Sequence, residues 1–168
     1  GKDFEENAIL KAKNAFTNTN ISSVGDDSGL IVPAINNEPG LYSARYAGLN
    51  ATDTDNRNKL ISKLKDKKLE STYAYFFCCI VAVGIKGQNE IIVCDGKVEG
   101  EVRTIERGEK GFGYDPMFYP KGYSESFAEL NSLEKNKISH RGQALKKLMD
   151  KLNKTCLLYT SDAADDAG

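Results

Sequence analysis

Tyr73-Ala-Tyr-Phe-Phe-Cys-Cys-Ile-Val-Ala-Val83 is the stretch from which the fold can be read. Successive side chains of a strand point to opposite faces of a sheet, and here both alternating sets are apolar. The segment is therefore a central strand covered on both sides. The apolar run from Tyr73 to Ile85 is 13 residues long, short of the roughly 20 that a membrane span needs. Cys78 and Cys79 are adjacent within it, so they belong to opposite faces and read as core filler.

Outward from this strand, Glu90 to Cys94 reads as a second strand. Asp95-Gly96 reads as a hairpin turn or a bulge, and Lys97 to Thr104 as a continuation in strict alternation. Upstream, Leu60, Ile61 and Leu64 at helical spacing place a helix over 54–66. Leu30 to Ile35 is a short apolar strand with an edge or kink at Pro33, and Asn36 to Gly40 has turn chemistry. Asp3 and Glu6 have capping-box spacing ahead of Phe4, Ala8, Ala12, Ala15 and Phe16, which predicts an amphipathic helix over 4–17. Leu145, Leu148 and Leu152 predict a last helix over about 139–153. Helices interleaved with strands, without repeats or a linker, argue for one α/β domain with a mixed sheet.

The chain has 168 residues, enough for one self-sufficient core. Hydrophobic residues at 40 % and charged residues at 28 % exclude a disordered composition. The net charge of −1 from 23 basic and 24 acidic residues, with no polybasic block, argues against a DNA- or RNA-coating protein. No apolar leader or span points to a membrane. The four cysteines match neither a zinc pattern nor a disulfide framework, so a reducing, cytoplasmic setting is expected.

The first methionine is Met117, and the chain opens on Gly1. This reads as a domain over 1–154 that lacks its natural start. Residues 155–168 show no helical or strand period and read as a non-native or disordered tail. That tail holds Asp162, Asp165 and Asp166 and no Lys or Arg, so the remainder carries 23 basic against 21 acidic residues, a net of +2.

Four segments are candidates for chemistry. In Gly25-Asp26-Asp27-Ser28-Gly29 two acids share what reads as a turn at a strand entry. Their repulsion asks for a cation such as Mg²⁺, or one acid orients a water as general base; otherwise this is an Asp-rich cap. In Gly108 to Pro116, glycines allow close backbone approach, Phe112 and Tyr114 can stack on a planar base, and Asp115 can bond to it; the plain alternative is a tight turn. In Glu134 to Arg141, Ser139 is an N-cap candidate, and His140 and Arg141 occupy the helix's first turn, where cations are disfavoured. With Lys135 and Lys137 nearby, the cluster makes sense facing an electron-rich ligand, or else as a solvated charge run. In Tyr42 to Gly48, Arg45 binds either a phosphate or an acid of its own fold. The first three together suggest a metal–nucleotide polyphosphate ligand.

Six motifs stand in one order. They are Phe4-x-Glu-Asn-Ala-x-x-Lys-Ala12, Asp26-Asp-Ser-Gly-Leu30, Pro39-Gly-x-Tyr-Ser-Ala-Arg-Tyr-Ala-Gly48, Gly111-Phe-Gly-Tyr-Asp-Pro116, Ala128-Glu-Leu130 and Glu134-Lys-Asn-x-x-Ser-His-Arg141. Over about residues 1–153 the chain resembles the inosine triphosphate pyrophosphatase family. The resemblance implies an elongated α/β domain with a long twisted mixed sheet and a cleft between two lobes. It implies a homodimer, Mg²⁺, and hydrolysis of ITP, dITP or XTP to the monophosphate and pyrophosphate. It implies that Asp27 binds Mg²⁺ and activates water with support from Asp26. Ser28, Phe112, Gly113, Tyr114, Asp115, Lys135, His140 and Arg141 would bind substrate, and Asn7 and Lys11 are secondary phosphate candidates. The family's opening strand, its Thr/Ser-x-Asn-x-x-Lys triphosphate loop and a second metal-binding Glu are expected upstream of Gly1. Pro33 stands where the family usually has an acid. Two other readings remain: a generic Mg²⁺-dependent phosphatase built on Asp26-Asp27, and a non-catalytic nucleotide-binding module.

Overall fold

A computed structural model describes residues 1–85 and 90–165, with side chains in the last helix through Lys154. Helix α1 (Phe4–Thr19) is followed by strand β1 (Ser23–Val32), a short strand β2 (Glu38–Pro39) and helix α2 (Asp53–Asp66). The long strands β3 (Ser71–Val83) and β4 (Ile91–Arg103) follow, then β5 (Phe118–Pro120) and helices α3 (Ser132–Ile138) and α4 (His140–Asp165). The sheet order is β2-β1-β3-β4-β5.

The fold is α/β, as the sequence indicates, but every pairing in this sheet is antiparallel rather than mixed. β3 and β4 are consecutive and separated by a connection too short for a parallel crossover. Between β1 and β3 the chain makes two 3-10 turns, β2 and α2, and re-enters the sheet at the end where β1 left it.

β3 pairs along its whole length with β4, and over Tyr75 to Val83 with β1, so it is central. Its two faces serve different layers. Cys78, Ile80 and Ala82 pack with Cys94, Ala144 and Leu148 under α4. Cys79, Val81 and Val83 pack with Ala8 and Ala12 of α1. The two adjacent cysteines are thus divided between faces and buried, as their positions in the strand require. A third cluster, which includes Leu30, Leu60, Leu64, Phe76, Phe118 and Phe127, fills the end of the sheet beneath α2.

Several local expectations change. β1 does not begin at Leu30: it begins at Ser23, so Gly25 to Gly29 is strand and not a turn. Glycine is needed at position 25 because α1 lies directly on the sheet there: a Cβ would stand 2.6 Å from the Ala12 nitrogen. β1 ends at Val32, and Pro33 opens a 3-10 turn. Asp95-Gly96 is likewise no turn or bulge, since Asp95 and Gly96 pair in register with Cys79 and Cys78. Any Cβ on Gly96 would overlap the carbonyl oxygen of His140, so this glycine is what lets α4 start against β4.

The capping of α1 is only partly the expected box. Asp3 Oδ1 accepts from Glu6 N–H at 2.8 Å, but Glu6 reaches back to the Lys2 amide instead of that of Asp3. Ser139 caps α4 by accepting from Gly142 N–H at 3.1 Å. α4 continues beyond the expected stop near Lys154 to Asp165; the stretch 155–165 contains neither Pro nor Gly to break it. α3 is an element without a sequence expectation, and Asn131 caps it by accepting from Glu134 N–H at 2.8 Å.

Candidate active site

A cavity of about 560 Å³ opens between the end of β1, the 111–115 loop and the start of α4. That size suits a nucleotide-sized ligand. Ser28, Phe112, Gly113, Tyr114, Asp115, Lys135, His140 and Arg141 all line it. These eight sequence-derived candidates come from three separate segments and meet in one place. Ser43 and Ala44, from the fourth candidate segment, also line it, as do Asp53 and Phe76, which the sequence reading did not single out as site residues.

His140 is buried, with 8 % of its surface exposed. Its ring stacks on Phe76, with centroids 4.7 Å apart and planes 8° apart. The alternative of a solvated histidine is therefore excluded. Burial pushes its pKa down to about 3, helped by the charges of Arg141 and Lys135 and opposed by Asp26. The imidazole is neutral at physiological pH, so it adds no charge at the helix start. Its Nδ1 is buried without a hydrogen-bond partner.

Arg141 and Lys135 near this helix start each meet an acid. Arg141 donates to Asp26 Oδ2 through Nη2 at 2.9 Å and Nε at 3.3 Å, and Nη2 also lies 3.3 Å from Ser28 Oγ. Lys135 Nζ is paired with Asp115, which is almost fully buried. The same Asp115 oxygen accepts from Phe112 N–H at 2.9 Å. Asp115 thus holds the loop and Lys135 as well as lining the cavity.

The two aromatic candidates differ in kind. Phe112 is 61 % exposed, with the Lys135 ammonium 4.9 Å and the Arg141 guanidinium 5.7 Å from its centroid. Its face is available for stacking. Tyr114 is buried, and its hydroxyl donates to the Ser43 carbonyl at 2.8 Å. Burial raises its pKa. Tyr114 forms wall and floor, so of the two rings only Phe112 is exposed.

The acid pair is arranged differently from the expected turn. Because Asp26 and Asp27 are consecutive strand residues, they point to opposite faces. Asp26 lies on the cavity side with Arg141. Asp27 lies on the α1 side, accepting from Asn7 Nδ2 at 3.0 Å and Lys11 Nζ at 2.7 Å. Asn7 and Lys11 are four residues apart on one face of α1, so both reach the same carboxylate. The repulsion expected between the two acids is removed by separation and by a cation for each. Arg45 sits over the Tyr42 ring at 5.4 Å and belongs to neither acid.

Among the described residues no three His, Cys, Asp or Glu side chains cluster as a metal cage. A protein cage is not what Mg²⁺ needs, since it commonly takes one or two carboxylates and completes its octahedron with water and phosphate oxygens. Asp27 fits that role: it is mostly buried, and each oxygen has one protein donor and a lone pair to spare. Over Asp26 to Gly29 the outer edge of β1 has no strand partner among the described residues, since β2 pairs only at Ile31 and Val32.

The sequence pattern described as the Ham1 family matches residues 1–151. The chain belongs to the Ham1 family. A protein of Idiomarina loihiensis called dITP/XTP pyrophosphatase is 47 % identical over 154 residues, which cover 92 % of this chain and 76 % of the relative. One of Bacillus anthracis with the same name is 45 % identical over 152 residues, 90 % of this chain and 75 % of the relative. Among solved structures, a HAM1 protein from Coxiella burnetii superposes with a TM-score of 0.85 at 42 % identity, covering 92 % of this chain and 78 % of that one. The Staphylococcus aureus Ham1 protein gives 0.83 at 43 % identity, with 92 % and 79 % covered. These findings bear out the family expected from the six motifs. No described helix is long and apolar enough to cross a membrane.

Proposed function

We propose that this Ham1-family chain hydrolyses deaminated purine nucleoside triphosphates, ITP, dITP and XTP, to the monophosphate and pyrophosphate. The observation that carries the reading is an aromatic-walled cavity in which a guanidinium is fixed by a carboxylate: Arg141 held on Asp26, beside Ser28 and the His140–Phe76 stack. It is a slot for a flat ligand with an acceptor edge. The relatives' names agree with it.

In this reading the purine stacks on Phe112, and Arg141 donates to its 6-keto oxygen. A 6-amino group would present a donor to a donor, and leaving both without partners in a closed pocket is costly. Lys135 adds positive charge at the cavity wall. The triphosphate extends to the α1 side of β1. There Lys11 neutralises phosphate charge, and Asp27 holds Mg²⁺ and takes a proton from the attacking water. When bound, Mg²⁺ supplies further neutralising charge to the pyrophosphate leaving group. Asp26 acts through Arg141 as a positioning residue. The motif resemblance also supports a homodimer, and the cysteine usage supports a cytoplasmic setting.

The test is Mg²⁺-dependent product release from ITP, GTP and ATP, with Asp27→Asn alongside. Pyrophosphate from ITP in clear preference, with kcat reduced about 10²- to 10⁴-fold in Asp27→Asn, is expected. Release of orthophosphate overturns the reading in favour of a generic phosphatase. Binding of ITP without turnover overturns it in favour of a nucleotide-binding module.

A further inference from the structure

The first two turns of α2 carry three polar residues that the proposed chemistry does not use: Asp53, Asn56 and Arg57. Asp53 Oδ2 accepts from Gly113 N–H at 2.7 Å, and Arg57 Nη1 donates to Gly113 C=O at 2.9 Å. One helix thus holds both backbone polar groups of one loop residue. Arg57 is itself oriented by Glu106 Oε1 at 2.9 Å and Thr54 Oγ1 at 3.2 Å. Asn56 is buried and holds the opposite wall, accepting from Ala47 N–H at 2.8 Å and donating to Ala44 C=O at 3.3 Å.

The residue next to the clasp is Phe112, exposed and set between Gly111 at φ +79° and Gly113 at φ +60°. Two glycines in the left-handed region give such a loop many alternative conformations. Freezing them on binding would subtract from affinity, whereas a loop ordered beforehand avoids that loss. The clasp acts on the backbone only and leaves the ring face open.

We propose that Asp53 and Arg57 are positioning residues that pre-order the Phe112 platform and so set affinity for the base. The proposal rests on the nucleotide reading above. Neither residue is assigned a contact with the reacting phosphate, so their loss acts on binding and not on the chemical step.

The chain has no tryptophan, so Phe112→Trp places the one tryptophan, excited selectively over the tyrosines, on the platform. In that background Arg57→Met and Asp53→Leu are expected to raise acrylamide quenching about twofold, because a released loop exposes and mobilises the ring. Asp53→Asn keeps an acceptor oxygen and is expected to stay near the parent. With Phe112 intact, Arg57→Met is expected to raise KM for ITP about tenfold with kcat within about twofold. Should Arg57→Met fail to fold, Arg57→Lys keeps the charge facing Glu106 and serves instead. Equal quenching in parent, Arg57→Met and Asp53→Leu, or a fall in kcat at unchanged KM, overturns the proposal. Quenching needs no nucleotide. A failed nucleotide reading would therefore show as an unsubstituted chain that neither binds nor hydrolyses ITP, with the quenching difference still present.

Discussion

His140 offers a sharp test, because it is the chain's one histidine. Its pKa falls from an ordinary 6.5 to about 3 in the folded protein, mainly through burial against Phe76. Below pH 6.5 the unfolded chain takes up a proton that the native chain refuses. Stability is therefore full above pH 6.5 and is lost as the pH falls toward 3. Each unit is worth about 1.4 kcal/mol, so the loss is about 2 kcal/mol at pH 5 and approaches about 5 kcal/mol near pH 3. Ordinary carboxylates titrate mostly below about pH 4.5, which leaves the interval from 6.5 to 5 to His140. Urea unfolding at pH 8, 6.5 and 5 should show that loss, and His140→Gln should flatten it whatever its effect at pH 8. The histidine's Hε1 resonance should not move over the same interval in the native state. A native resonance titrating near pH 6.5, or an equal slope in His140→Gln, would refute the buried, neutral imidazole.

Two further outcomes follow from the packing and the ion pairs. Gly96→Ala forces a Cβ into the His140 carbonyl, and backbone against backbone cannot give way easily, so a loss of about 1–3 kcal/mol is expected in chemical denaturation. Asp26→Asn leaves an acceptor for Arg141 but removes the charge; with both side chains about 40 % exposed, stability should change by less than about 1 kcal/mol, while KM for ITP rises several-fold.

The central strand and the α2 helix were legible because each rests on a local signal, alternation or helical period, whereas the meeting of Ser28, the 112–115 loop and the Lys135–Arg141 segment was legible only through residue types in an order that resembles a family. What was misread rests on contacts far apart in sequence. Gly96 looks like a turn residue, yet it is a strand residue whose missing side chain makes room for a helix start over forty positions later. Gly25 to Gly29 misleads in the same way, since its glycines and acids imitate a loop while α1 requires the small residue. Once the segment is taken as strand, the opposite orientation of Asp26 and Asp27 follows at once. Asp53, Asn56 and Arg57 carry no signal in the sequence beyond their place at the start of a helix. Their spacing of three and four residues was visible, but not the loops they face. α3 did carry a local signal that was overlooked, Asn131 followed three residues later by Glu134.

The opposed acids give the proposed site its logic. One strand separates two environments within adjacent residues: Asp26 is paired with Arg141 on the side where Ser28 lines an aromatic cavity, while Asp27 faces a helix that supplies an amide and an ammonium. On the proposed reading, recognition of the base and attack at phosphorus are held apart by a sheet, and only the ligand joins them. Substitutions on the cavity side should then act on KM and discrimination, and substitutions on the α1 side on kcat. A site with both acids in one turn would mix the two effects, because neutralising either acid would shift the other's charge and the Mg²⁺ between them. The division between KM and kcat across Asp26→Asn and Asp27→Asn therefore tests the strand geometry as directly as it tests the roles of the two carboxylates.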